Sequence, residues 1–112
     1  MSMGVDVDQT VTDSKGRALV VRTLSALEEM DIMEAAGAEA ANNRRWMIAA
    51  ELYASVRAID GVPRPFPSTR ALLRKHIESV GGHGLAAVVS VMNDAAELLA
   101  ESNQAEVALA KN

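Results

Sequence analysis

Val5-Asp6-Val7-Asp8-Gln9-Thr10-Val11-Thr12-Asp13-Ser14-Lys15-Gly16-Arg17-Ala18-Leu19-Val20-Val21-Arg22-Thr23 decides how the chain begins. Val5, Val7 and Val11 fall on one face, and Asp6, Asp8, Thr10 and Thr12 on the other. That period of two belongs to a strand. Asp13 suits the start of a turn, and Gly16 supplies the positive φ that closes it. Arg17–Thr23 is then apolar and largely β-branched at its centre (Leu19, Val20, Val21), as a second strand requires. The stretch predicts a β-hairpin over residues 5–23. Two strands alone are marginal in water, so the hairpin must lie on helices, on a third strand or on another subunit.

Working outward, Ser25-Ala26-Leu27-Glu28 has the form of a capping box: the Ser25 hydroxyl accepts from the third helical amide while Glu28 reaches back. A helix over about 25–36 follows, with Leu27, Met30 and Met33 or Glu34 expected on its inner face and Gly37 as C-cap or break. Asn42 or Asn43 can cap the next helix, expected over 43–59. There Trp46, Ala49, Ala50, Tyr53 and Val56 form one stripe, and Ile48, Leu52 and Ile59 cover the opposite side. A helix apolar nearly all round is buried on several sides, so this one is expected to be central. Asp60-Gly61 ends it. Pro63, Pro65 and Pro67 make residues 62–67 a stiff extended connector bearing Phe66. Ser68 is the expected cap of a helix over 69–80, with Leu73, Ile77 and Val80 inward and Arg70, Arg74 and Lys75 on a basic outer strip. Gly81-Gly82 breaks the chain. Leu85, Val88, Val89, Met92, Ala96 and Leu99 then mark a last amphipathic helix over 84–101, and residues 102–112 are expected to fray. The predicted fold is mainly α with an N-terminal β-hairpin: about four helices around one small core, in a single domain over 1–101.

Composition agrees. A chain of 112 residues, 49% hydrophobic and 23% charged, has the makings of one globular domain. With one Trp, one Tyr and one Phe, its core must be filled by aliphatic residues and the six Met. The absence of cysteine removes disulfides, thiolate metal sites and cysteine catalysis, and fits a reducing compartment. No apolar run approaches the ~18 residues of a membrane span, and no secretory signal is visible at the N-terminus. Charge is spread unevenly: residues 1–43 are net −5, residues 44–76 net +5 and residues 77–112 net −4. A basic middle between acidic ends can be satisfied internally or can drive head-to-tail contact between copies.

The chemistry of an enzyme does not assemble. No serine lies in a nucleophile elbow, and His76 and His83 lack the spacing of a helical metal pair. Gly81-Gly82-His83-Gly84 lacks the lysine and the strand–loop–helix setting of a phosphate loop. The strip Arg64, Arg70, Arg74, Lys75, with Arg44-Arg45 nearby, could meet an anionic partner, but no stacking aromatics interleave with it. What remains is interaction chemistry: a hairpin with edges, a Pro-locked Phe66, and helices with Met and Leu stripes, all features of a protein that holds another.

The order of features resembles a known family. The hairpin turn Thr10–Arg17 leads into Leu24-Ser25-Ala26-Leu27, then a small-residue helix ending near Ala36-Gly37. Next come Ala54-Ser55-Val56-Arg57-Ala58-Ile59-Asp60-Gly61-Val62-Pro63-Arg64-Pro65-Phe66-Pro67-Ser68, a short helix, a glycine break and a closing Ala/Val helix. Over about residues 10–98 this is similar to the tail assembly chaperones of long-tailed bacteriophages, most tellingly in Ile59–Pro67. The resemblance implies a protein of the host cytoplasm without enzymatic activity or cofactor. Such a protein holds the tape-measure protein while tail-tube protein polymerises around it, is absent from the mature virion, and forms homo-oligomers. It further implies a longer frameshifted product; Ala110-Lys111-Asn112 is codable as a slippery A-AAA-AAC run. The expected contact set is Met30, Met33, Phe66, Leu85, Val89 and Met92, with no membrane partner. A nucleic-acid-associated regulator using Arg64, Arg70, Arg74 and Lys75 and a structural tail-completion protein are the rival readings.

Overall fold

The computed structural model describes residues 8–92. Val5, Val7, Ala96, Leu99 and the segment 102–112, on which expectations were placed, lie outside the described residues. The order of elements is β1 (Gln9–Thr12), β2 (Ala18–Val21), α1 (Ala26–Ala36), α2 (Ala38–Ala41), α3 (Arg44–Ala54), β3 (Val56–Ile59), β4 (Val62–Pro63) and α4 (Arg70–Val91). The fold is mainly α with an N-terminal hairpin, and the hairpin is half of a four-stranded antiparallel sheet ordered β1-β2-β3-β4.

The hairpin turn forms as its residues dictate. Gly16 N–H donates to the Asp13 carbonyl at 3.0 Å, Gly16 has φ 81°, and the Lys15 and Arg17 amides both donate to Asp13 Oδ1 at 2.9 Å. The third strand that the hairpin needs comes from residues expected to be helical. The helix predicted over 43–59 stops at Ala54, because Val56–Ile59 pairs with β2 and turns back through Asp60 and Gly61. Both turn residues have positive φ, 51° and 80°, the two-residue turn whose twist suits a hairpin. Asp60 also accepts from the Ala18 amide through Oδ1 at 2.9 Å, fastening the turn to β2.

One residue of β3 has no partner on β2. Val20 faces Ala58 and Val21 faces Val56, so Arg57 is the extra residue of a bulge. Bulges re-aim side chains, and this one sends Arg57 toward the start of α1.

Capping mostly follows the sequence. The Ser25–Glu28 box is complete in both directions (Glu28 N–H to Ser25 Oγ 3.2 Å, Ser25 N–H to Glu28 Oε1 2.9 Å), and Asn43 caps α3. The cap of α4 is Thr69 rather than Ser68: Thr69 Oγ1 accepts from the Leu72 amide at 3.2 Å, while the Ser68 amide is turned back onto the Phe66 carbonyl. In α4, Gly81 alone leaves helical geometry (φ 68°, ψ 179°), so the expected break is there but helix resumes earlier than Gly84.

The kink lets one helix serve two cores. At the sheet end, Leu19, Val21, Leu52, Val56, Val80, Ala87, Val88 and Met92 are buried together. At the helical end, the set is Leu24, Ile32, Ala35, Ala36, Met47, Ala50, Ala54 and Leu73. Helix α3 lies between, giving Leu52 to the first and Met47, Ala50 and Ala54 to the second, so its central position is as expected. Among the described residues no helix is long and apolar enough to cross a membrane.

Candidate partner-binding face

The inner face of α1 is not the one its sequence suggested. Ile32, Ala35 and Ala36 are buried, whereas Leu27 is 68%, Met30 65% and Met33 52% exposed. The reason lies in close packing. Ile32 with the small Ala35 and Ala36 shares the buried cluster of Ala50 and Ala54 of α3, and Leu27, Met30 and Met33 are turned outward. At 3.6 residues per turn, Met33, Met30 and Leu27 follow one another in steps of about 60° around the outer side. They form a continuous apolar stripe; among the described residues the other large exposed apolar side chains, Val62 and Leu72, lie on β4 and α4.

The remaining expected contact residues are elsewhere. Phe66 is half-buried against the helical-end core, with the Arg57 guanidinium 5.6 Å from its ring centroid. Leu85 and Val89 are half-buried against the sheet-end core. Met92 is only 8% exposed within that core, which corrects its assignment as an open contact: it is buried together with Leu19 and Val21 of β2 and Val88 of α4. Of the six, Met30 and Met33 alone come together on an open surface, and Leu27 joins them. Leu27 was missed because a capping-box helix was read with its largest apolar residues inward.

Polar anchors hold this face in place. Arg57 donates to both oxygens of Glu28 (2.8 and 3.0 Å) and reaches the Arg22 and Thr23 carbonyls at 3.3 Å. The two guanidinium bonds, with the Ser25 amide and hydroxyl beyond them, pull the Glu28 carboxyl down to about 2 against the opposing effect of partial burial. The N-terminus of α1 is therefore fixed to the β3 bulge. His76, buried, donates from Nε2 to the Tyr53 carbonyl at 2.7 Å, where α3 gives way to β3. Burial lowers the His76 pKa, the Tyr53 bond opposes that, and Arg64 and Arg57 lower it further.

At the other end, Arg17 holds Asp13 through Nε (2.8 Å) and donates to the Ser79 and Val80 carbonyls at 2.8 and 2.6 Å. Those carbonyls belong to the last turn before the Gly81 break, where helical donors run out. The Asp13 carboxyl stays below the usual range although burial opposes this, because the Arg17 amide and guanidinium and the Lys15 amide all donate to it. Ser14 Oγ and His83 Nδ1 pair at 2.5 Å across the same junction. Both Asp13 oxygens are committed to Arg17 and Lys15, so Asp13 does not orient this pair.

The basic strip divides. Arg64 is tied to Ser79 Oγ at 2.6 Å and to the Arg57 carbonyl through its amide, whereas Arg70, Arg74 and Lys75 are exposed on α4. Among the described residues no group of three His, Cys, Asp or Glu side chains could hold a metal ion. Compared with protein-family models, with curated proteins and with solved structures, the chain finds no match in any of the three.

Proposed function

We propose that this chain is a tail assembly chaperone of a long-tailed bacteriophage. It binds and holds the tape-measure protein in the host cytoplasm during tail-tube polymerisation and is absent from the mature virion. The observation that carries the reading is the exposed stripe Leu27–Met30–Met33 on a helix otherwise well anchored. A tape measure is a long helical chain whose apolar stripes self-associate when bare. A small protein with an adaptable Met-rich face can shield many such segments in turn. Repetition along one client chain adds avidity, so each contact can be weak enough for tail-tube protein to displace it. The sequence resemblance over Ile59–Pro67 supports the same reading. Those residues build the Asp60-Gly61 turn and the Phe66–Arg57 stack that position α1.

Co-expression with a tape-measure protein tests this. The expected result is a recovered complex and a larger soluble fraction of the long chain. Equal solubility with and without this protein, with no complex, overturns it. A salt-dependent shift on DNA lost in an Arg70/Arg74/Lys75 variant would favour the nucleic-acid reading instead. Presence in purified particles would favour a tail-completion protein.

A further inference from the structure

The α1 stripe lies among acidic residues of its own segment. From Leu24 to Asn43 the chain carries Glu28, Glu29, Asp31, Glu34 and Glu39 and no Lys or Arg. Glu28 is engaged by Arg57; among the described residues Glu29, Asp31, Glu34 and Glu39 form no ion pair. Their positions on the helix are informative. Glu29 lies on the α3 side, where Glu51, already raised by burial, is raised further by its charge. Asp31 falls beyond Leu27 on the opposite side, and Glu34 stands one turn after Met30. The stripe thus has carboxylates along both flanks and at its C-terminal end.

We infer that the ligand of this face is a basic amphipathic helix, one whose apolar stripe is edged by Lys or Arg. The inference rests on the holding function proposed above and names the kind of client segment it takes. An apolar stripe seated on Leu27, Met30 and Met33 would bring flanking cations against Glu29, Asp31 and Glu34. The same face would repel an acidic helix of equal hydrophobicity, which supplies selectivity without a shape-specific pocket. The chain's own outlying segments do not have this chemistry. Residues 93–112 carry four carboxylates against one lysine, and residues 1–7 carry Asp6 and no cation. Eleven residues of α1 offer a track about 16 Å long, enough for roughly three turns of a client helix.

The test uses the full chain and three labelled synthetic peptides of about 18 residues, long enough to form helix. One has a Leu stripe edged by Lys, one the same stripe edged by Glu, and one the Leu/Lys composition scrambled to destroy the stripe. Fluorescence anisotropy should show the Leu/Lys helix binding at least about tenfold more tightly than either control, with affinity falling as salt rises. Leu27→Ser with Met30→Ser should weaken it about tenfold, and Glu29→Lys with Glu34→Lys should transfer preference to the Leu/Glu helix. Both pairs are exposed, so circular dichroism should report an unchanged fold. Equal binding of all three peptides, or a Kd indifferent to both variants, overturns the inference. So does a homodimer that the Leu27→Ser/Met30→Ser variant dissociates, since the face would then be covered by a second copy. A tape-measure protein captured equally well by wild type and both variants overturns this inference and leaves the holding function standing. Peptide discrimination with no tape-measure complex does the reverse.

Discussion

The two ends of the molecule bury their apolar residues differently. At the sheet end, seven of the eight buried core residues are larger than alanine, and the long side chains of β2 and the second half of α4 point inward. At the helical end, four of the eight are alanine, and of the long apolar side chains of α1 only Ile32 is buried while Leu27, Met30 and Met33 point to solvent. The first end has used its apolar surface to fold. The second is closed by small residues at short range, which leaves leucine and methionine free to meet something else. Stability and binding are therefore expected to separate along the chain.

The largest effect should come from the sheet end. Leu19, fully buried between β3 and α4, loses its packing in Leu19→Ala; a drop of about 3 kcal/mol in unfolding free energy is expected by urea titration. A smaller loss, about 2 kcal/mol, is expected for Arg57→Ala, which strands Glu28 at the junction of the two ends. This variant also has a pH signature. Because the folded Glu28 carboxyl is lowered from 4.5 to about 2, its stabilisation is complete above pH 4.5 and is lost as pH falls toward 2. Arg57→Ala should flatten the acid limb of a stability–pH curve; an unchanged limb would show that the pair does not couple the ends.

Gly84→Ala should cost about 1–2 kcal/mol. A Cβ there meets Val80 Cγ1 at 2.5 Å, one turn earlier on α4 itself, so the fully buried Val80 side chain must give way within the sheet-end core. His76 gives a milder handle. Its folded pKa is lowered, so the unfolded chain takes up protons first as pH drops below 6.5 and the fold loses stability in that direction. His76→Gln should reduce the slope between about pH 6.5 and 5 in thermal denaturation. Smallest on stability is Leu27→Ser, within about 0.5 kcal/mol because the side chain is already in water. If Leu27→Ser destabilised as much as Leu19→Ala, the contrast between the ends would be false.

Much of this was legible from short-range chemistry. The Asp13–Gly16 turn, the Ser25–Glu28 box, the Asn43 cap and the glycine break are each fixed by residues a few positions apart. What was not legible depended on distant partners. Val56–Ile59 continues the apolar periodicity of α3, and only pairing with β2 makes it a strand; the Asp60-Gly61 dipeptide was the available sign. The orientation of α1 was misread for a related reason. Periodicity identifies two faces, but Ala35 and Ala36 look weaker than Leu27 and Met30 until Ala50 and Ala54 are known to lie opposite. Of the expected contacts, Met92 could not be placed without knowing that it is buried together with Leu19 and Val21 of β2.

The Arg17 side chain bonds to carbonyls 62 and 63 residues further along the chain. On the ribosome the hairpin emerges early with Arg17 already able to pair with Asp13, but the Ser79 and Val80 carbonyls that complete its clasp are made only when α4 is synthesised. The lock between the hairpin and α4 therefore cannot form before residues 79 and 80 have been made. A nascent chain stopped before residue 79 would pair its hairpin with β3 but lack this lock, which the synthesis of α4 then supplies in a late step.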